Sequence, residues 1–326
     1  MIKLFKSSNS VTLLLLVVYT VLLNINVFLY TPALISSAKY PFSHFIIQTL
    51  QQLTGGNPYA LAAVFVLMLI VQAIMFNTLV NSNKLFENET NLPAFAYVLL
   101  LSMFNGYVFL SAPFLANFAL IIALIKVLEA YHNKSFTQPF DAGFAIGIAS
   151  LFYLPSAVLI LFVFVALSII RVFKWKEWLV TILGFFMPYF ILGTVFIVFK
   201  PNELDNIITA YLNPNAVNTL PIYYIEIFVK MTVLVSIMLL TMFFFQKQFF
   251  KKMVKTRNML TAFIYLMAIS ILTFLLADGF SVAPITLTIP SVAVFLSFAF
   301  IEIEKEWMNE IIHLAIIAIV LFFSYF

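Results

Sequence analysis

The side chains best suited to chemistry are few and thinly spread in this chain. Glu226 and Lys230 stand four apart, acid before base, the favourable order for an intrahelical ion pair. Ionisable groups inside membrane spans are costly, so this pair is a first suspect for holding a phosphate or a coupled ion. The competing reading is a mutually neutralised pair facing a neighbouring helix. Glu203 and Asp205, in residues 200–221, offer carboxylates for general-base work, with Lys200 at the head of the same segment. His44 is a further candidate base, because imidazole titrates near neutrality, and Lys39 is a further candidate phosphate holder. Residues 246–258 (QKQFFKKMVKTRN) interleave Lys247, Lys251, Lys252, Lys255 and Arg257 with aromatic rings. That composition suits either a seat for anionic lipid head groups or ordinary cytoplasmic anchoring.

Other chemistries find no residues to run on. The cysteine count of 0 removes disulfides, iron–sulfur clusters and thiolate nucleophiles. The histidines His44, His132 and His313 are too far apart in sequence for a local metal-ligand run. Neither GxxxxGK[ST] nor HExxH occurs, so no cofactor and no metal is expected. Asp141, following Thr-Gln-Pro-Phe, is expected to cap a helix. Lys126 and Glu129 are close enough to a membrane edge to snorkel. Glu302, Glu304, Glu306 and Glu310, with Lys305, read as a solvated face or a docking surface. Asn24, Asn26, Asn77, Asn105 and Asn117 are amides within apolar runs, suited to hydrogen bonds between helices or to lining a polar path.

The elements that must position these groups follow from composition. Of 326 residues, 64% are hydrophobic and 9% charged, with mean hydropathy +1.10. A soluble domain has about 25% charged and 45–50% apolar residues, so the expectation is a polytopic membrane protein. A soluble enzyme, a nucleic-acid-binding module and a disordered chain are excluded. Backbone groups in lipid must be satisfied internally, so the fold class is all-α, a helical bundle of about 11 spans.

The expected spans cover 10–30, 59–80, four segments between Pro93 and Phe173, 177–199, 222–245, 259–277, 282–301 and 311–326. The four middle segments form two tight pairs turning near Pro113 and Pro155. Lys3 and Lys6 before the first run also resemble a signal peptide, but the run is long enough for a retained anchor. Lys and Arg bias puts the N-terminus in the cytoplasm and the C-terminus outside. Only Lys39 and Lys200 then fall in external stretches, with Lys230 inside a helix. Residues 1–326 form one transmembrane domain. Its first external loop, 31–58, carries an interfacial helix over Pro41–Leu53, and 200–221 is a second external loop.

Residues 140–199 carry a recognisable pattern. Ala142-Gly143, Gly147, Ala149 and Leu151 are followed by Pro155, the basic stretch 171–176, Gly184 and Pro188. The segment resembles the middle of polyprenyl-linked membrane glycosyltransferases of the GT-C class. That resemblance implies a GT-C-like bundle and a polyprenyl phosphate ligand, with a catalytic acid in the first external loop. Residues 31–58 contain no acid, which leaves Glu203, Asp205 or His44 as base. The whole chain also resembles a family of Phe-, Asn- and Lys-rich inner-membrane proteins of Bacteroidota without an assigned activity. The expected role is a non-catalytic subunit or scaffold in the bacterial inner membrane, contacting lipids and other inner-membrane proteins. A polyprenyl-phosphate-dependent glycosyltransferase and a transporter or flippase using Glu226 and Lys230 are the alternatives.

Overall fold

The computed structural model of the chain describes residues 2–29, 40–132, 135–171, 174–199, 209, 211, 224–277, 282–303 and 305–325; the side chains of 224–226, 247–248, 306 and 323–325 are outside this description. Regular structure among the described residues is helical throughout. Among these residues fifteen α-helices of known bounds follow in chain order. They are α1 (Ile2–Phe5), α2 (Ser10–Leu23), α3 (Ile25–Leu29), α4 (Pro41–Leu53), α5 (Pro58–Ser82), α6 (Leu92–Ser102), α7 (Asn105–Val108) and α8 (Ala112–Glu129), then α9 (Thr137–Phe152), α10 (Leu159–Ile170), α11 (Trp175–Phe199), α12 (Tyr224–Gln248), α13 (Val254–Leu275), α14 (Ile289–Glu302) and α15 (Glu306–Tyr325). Among the described residues five helical stretches are long and apolar enough to cross a membrane: Pro58–Ser82, Ala112–Glu129, Trp175–Phe199, Ile227–Gln246 and Val254–Leu275.

Proline sets many of the starts. It occupies the first turn of α4, α5, α6, α8 and α14, and of the short 3-10 turns Leu154–Val158 and Ala283–Leu287. Its fixed φ suits that turn, where its missing N–H would have had no partner. Asn57 and Ser111 add side-chain caps, accepting from the N–H groups of Tyr59 and Phe114 at 3.0 and 3.3 Å. The turn from α4 to α5 runs through Gly55 and Gly56 at φ +60 and +71, where a side chain would be strained.

A helix that is apolar all round belongs in the middle. Every residue of α6 is buried, as is every residue of α14 from Ile289 to Phe300. The two pack on each other, and α2, α5, α12, α13 and α15 enclose them. A second group, α8, α9, α10 and α11, is built around α9 and joins the first through α5–α8, α10–α13 and the turn at Ala283–Leu287.

Two expectations need correction. The segment before Pro113 does not form a tight pair with the one after it: α6 packs on α14 and α5, whereas α8 packs on α9. The short helix α7 and Leu110, at φ 45, redirect the chain between them. Asp141 does not cap a helix. The helix begins at Thr137, so Asp141 lies inside it, and Pro139 stands in its first turn, where proline is tolerated.

Candidate functional site

A close backbone approach joins α9 and α11. A Cβ built on Gly143 would sit 2.1 Å from the Thr181 carbonyl oxygen, one on Gly147 2.4 Å from that of Phe185, and one on Gly184 2.2 Å from that of Phe140. All three are backbone atoms. The small residues and Pro188 of the 140–199 pattern therefore have a packing role, which lets two helices touch main chain to main chain. Arg171, at the end of α10, and Glu177, in the first turn of α11, form an ion pair at 3.1 Å with side chains only 8% and 6% exposed. The same guanidinium donates to the carbonyls of Ala130 and Ser135. Arg171 thus ties the α8–α9 loop to the start of α11.

Most of the buried amides bridge helices. Asn24 donates to Ser102 Oγ at 2.9 Å, joining α2 to α6. Asn77 on α5 donates to Asn91 Oδ1 at 2.9 Å, and Asn91 donates to Thr12 Oγ1. Asn117 donates to the Tyr97 hydroxyl, which donates to Gln72 Oε1, both at 2.6 Å. Gln72 closes the set by donating to the Phe114 carbonyl. Asn26 Oδ1 and Asn105 Nδ2 are buried without a hydrogen-bond partner.

At one end of the bundle Tyr40 and Tyr211 converge on the C-terminal end of α9. The Tyr40 ring lies 5.8 Å from Tyr153 and 6.1 Å from Tyr211, and the Tyr211 hydroxyl donates to the Leu151 carbonyl at 2.9 Å. Burial pushes the Tyr211 phenol well above its ordinary range. The Phe42 and Phe152 rings lie 4.8 Å apart, tilted by 57°, while Ser43 and Ile47 turn inward. Helix α4 has the expected bounds, but Phe45 and Leu53 of its apolar face point away from the bundle, at 62% and 78% exposure. His44 lies on this helix within reach of Gln48, 3.3 Å away. Lys230 is buried, with its ammonium 5.4 Å from the Tyr107 ring.

At the opposite end, Lys252 bridges Glu87 and Glu302 at 3.0 and 3.1 Å and lies 5.6 Å from the Phe298 ring. Burial alone would lower its pKa, but the two carboxylates outweigh this and hold it above the ordinary lysine value. Lys255 lies 2.9 Å from His132 Nε2 and over the Tyr131 ring. Arg257 faces the Phe249 ring at 5.9 Å. Lys251 and Lys252 line a cleft of about 390 Å³ together with Lys6, Phe86, Glu87 and Glu302.

The structure thus brings Lys251 and Lys252 to one cleft, with Lys255 and Arg257 on the same segment, and separates them from His44 and Lys230. Lys39, Lys200, Glu203 and Asp205, with the side chains of Glu226 and Lys247, lie outside the described residues. Glu302 and Glu310 are not simply a solvated face. Glu302 pairs with Lys252, and Glu310 accepts the Ile2 N–H at 3.1 Å. Lys126 and Glu129 pair with each other at 3.0 Å. Sequence reasoning missed Gln72, Tyr97 and the buried contact of Tyr19 with His313 at 3.0 Å. A polar residue in an otherwise apolar helix was the available signal for each. Among the described residues no group of three or more His, Cys, Asp or Glu could hold a metal ion.

No curated protein and no solved structure matches the chain. Residues 41–326 match the family described as Family of unknown function (DUF6427), and the chain belongs to that family.

Proposed function

We propose that this chain is a non-catalytic, multi-pass subunit or scaffold of a bacterial inner-membrane complex. In this reading about 11 segments span the bilayer in a GT-C-like bundle, with the N-terminus cytoplasmic and the C-terminus external. The observation that carries it is the use made of the intramembrane polar groups. Asn24, Gln72, Asn77, Asn91, Tyr97 and Asn117 are engaged in hydrogen bonds between packed segments, as structural amides are in membrane bundles. Support also comes from α11, whose buried side is a narrow stripe of Glu177, Thr181, Gly184 and Pro188. Its remaining apolar surface, Phe186, Phe190 and Val198 included, is available to lipid or to partner helices.

The test is purification from native membranes in mild detergent, with mass spectrometry of co-eluting proteins and lipids. A stoichiometric membrane-protein partner is the expected result. A protein that purifies alone and transfers a sugar from a polyprenyl phosphate would overturn the reading. The joint substitution of Glu203 and Asp205 by Gln and Asn would then be the first step towards its base.

A further inference from the structure

The half-open cleft at the Lys252 end is a space that the preceding reading leaves unused. Its wall is of two kinds. Phe86, Phe298 and Ile301 are apolar, and Lys6, Lys251, Lys252, Glu87 and Glu302 are charged. Three ammoniums against two carboxylates leave an excess of one positive charge. The distribution matters more than the sum. Glu302 is 18% exposed and packed beside Lys252, whereas Glu87 is 82% exposed and reaches Lys252 from the surface. Lys6 and Lys251 make no ion pair with any described carboxylate. Glu87 is therefore a replaceable partner, and an incoming anion would meet Lys6, Lys251 and the freed side of Lys252.

The opposite wall is held in place. Both main-chain groups of Thr90 are clamped by one amide: its N–H donates to Asn81 Oδ1 at 3.3 Å, and its carbonyl accepts from Asn81 Nδ2 at 2.9 Å. The Asn91 N–H donates to the Phe5 carbonyl at 3.0 Å, which fastens the same loop to the N-terminal helix carrying up to Lys6. Thr90 lines the cleft, and its hydroxyl is buried without a hydrogen-bond partner. Buried polar groups are ordinarily satisfied, so an unused donor at the wall of a cationic cleft is informative. Asn88 adds an amide at the rim.

We propose that this cleft is a binding site for a phosphoryl anion, supplied either by the head group of an anionic phospholipid or by a small soluble phosphate ester. Ammoniums hold phosphate as point charges, Thr90 and Asn88 supply neutral donors, and the Phe86–Phe298–Ile301 wall accepts the apolar part of a lipid. The inference is independent of whether the chain is a scaffold, because it concerns ligand binding alone.

The test uses the full chain in a neutral detergent, with the thermal unfolding midpoint followed during titration with phosphatidylglycerol, phosphatidylcholine, inorganic phosphate and glycerol phosphate. A saturable rise with phosphatidylglycerol and not with phosphatidylcholine identifies a lipid site. A saturable rise with inorganic phosphate or glycerol phosphate identifies a soluble ester. Lys6→Gln with Lys251→Gln should weaken the apparent affinity, by about fivefold per charge removed. Glu87→Gln should strengthen it by about fivefold, a gain that a folding defect cannot imitate. Lys255→Gln with Arg257→Gln, outside the cleft, should leave it nearly unchanged. The proposal is overturned if no anion gives a saturable response. It is equally overturned if the Lys255 and Arg257 pair matters as much as the Lys6 and Lys251 pair, or if Glu87→Gln fails to tighten binding.

Discussion

Two groups of helices in this protein are held together by opposite means. Between α9 and α11 the helices meet main chain against main chain at Gly143, Gly147 and Gly184, with the Pro188 ring against Gly147. Among α5, α6 and α8 the helices stand further apart, and long polar side chains cross the gap through Gln72, Tyr97 and Asn117. Lipid supplies no hydrophobic drive to bring helices together, because its tails are as apolar as leucine. Close packing and hydrogen bonding are what remain, and the two groups weight them differently, the α9–α11 contact adding only the Ser150–Tyr189 bond among the described side chains. The difference has an energetic consequence. A glycine contact fails abruptly when an atom is added, whereas an amide bridge fails gradually when one is removed.

The largest expected effect therefore falls on the glycine seam. In Gly143→Ala the new methyl group would lie 2.1 Å from Thr181 O, an atom fixed in a helix, so the two helices must separate. Overpacking of this kind typically costs about 1–3 kcal/mol and more where backbone cannot give, so a loss of about 3 kcal/mol or more is expected. Gly193 on the same α11 has nothing within 4 Å of its Cβ position. Gly193→Ala should be neutral or stabilising by up to about 1 kcal/mol, through helix propensity alone. Thermal unfolding of both variants in detergent checks the contrast; equal midpoints would show that the seam is looser than its geometry.

A comparable effect is expected at Arg171. Removing one member of a buried ion pair leaves the other charge without compensation, at about 3–5 kcal/mol, and Arg171→Met also frees the Ala130 and Ser135 carbonyls. Glu177→Met should cost less than Arg171→Met, since it breaks the pair without releasing those carbonyls. The double variant should be less destabilised than the two single losses added together. Strict additivity of the three unfolding free energies would remove the pair from the list of what joins the α8–α9 loop to α11.

How much of this was legible in the sequence depends on what kind of signal each feature leaves. Helix α4 was legible to the residue, because Pro41 starts it and Thr54-Gly55-Gly56 ends it. The glycine seam is legible as a spacing of small residues in 140–199, and its local cause is helix contact. Polar partners were not legible. Asn24, Asn77 and Asn117 stood out as amides in apolar runs, but nothing in their spacing points to Ser102, Asn91 or Tyr97. The inner face of α6 could not be read either, because Leu92–Ser102 is apolar on every side and leaves no periodicity to mark one. The bridge from Lys252 to Glu87 and Glu302 joins residues far apart in the chain, and such pairs follow only from the fold. The candidate bases Glu203 and Asp205 lie outside the described residues, so the alternative enzyme reading rests on sequence alone.

The smallest of these effects is expected at Tyr97, and it sharpens the comparison most. Its hydroxyl donates to Gln72 and accepts from Asn117, each at 2.6 Å, so Tyr97→Phe deletes one oxygen and two hydrogen bonds. In water-soluble cores such a deletion would strand two buried groups at about 1–3 kcal/mol each. Within membrane bundles a hydrogen bond between helices averages about 0.6 kcal/mol, with a maximum near 1.7, because the separated helices also find partners. Tyr97→Phe should therefore cost about 1–2 kcal/mol, below Gly143→Ala and Arg171→Met. Gln72 keeps its bond to the Phe114 carbonyl, which limits the loss further. The same unfolding measurement ranks the three variants. If Tyr97→Phe proved the most damaging, hydrogen bonding rather than backbone contact would be the dominant means of holding the bundle, and the glycine seam would be the secondary one.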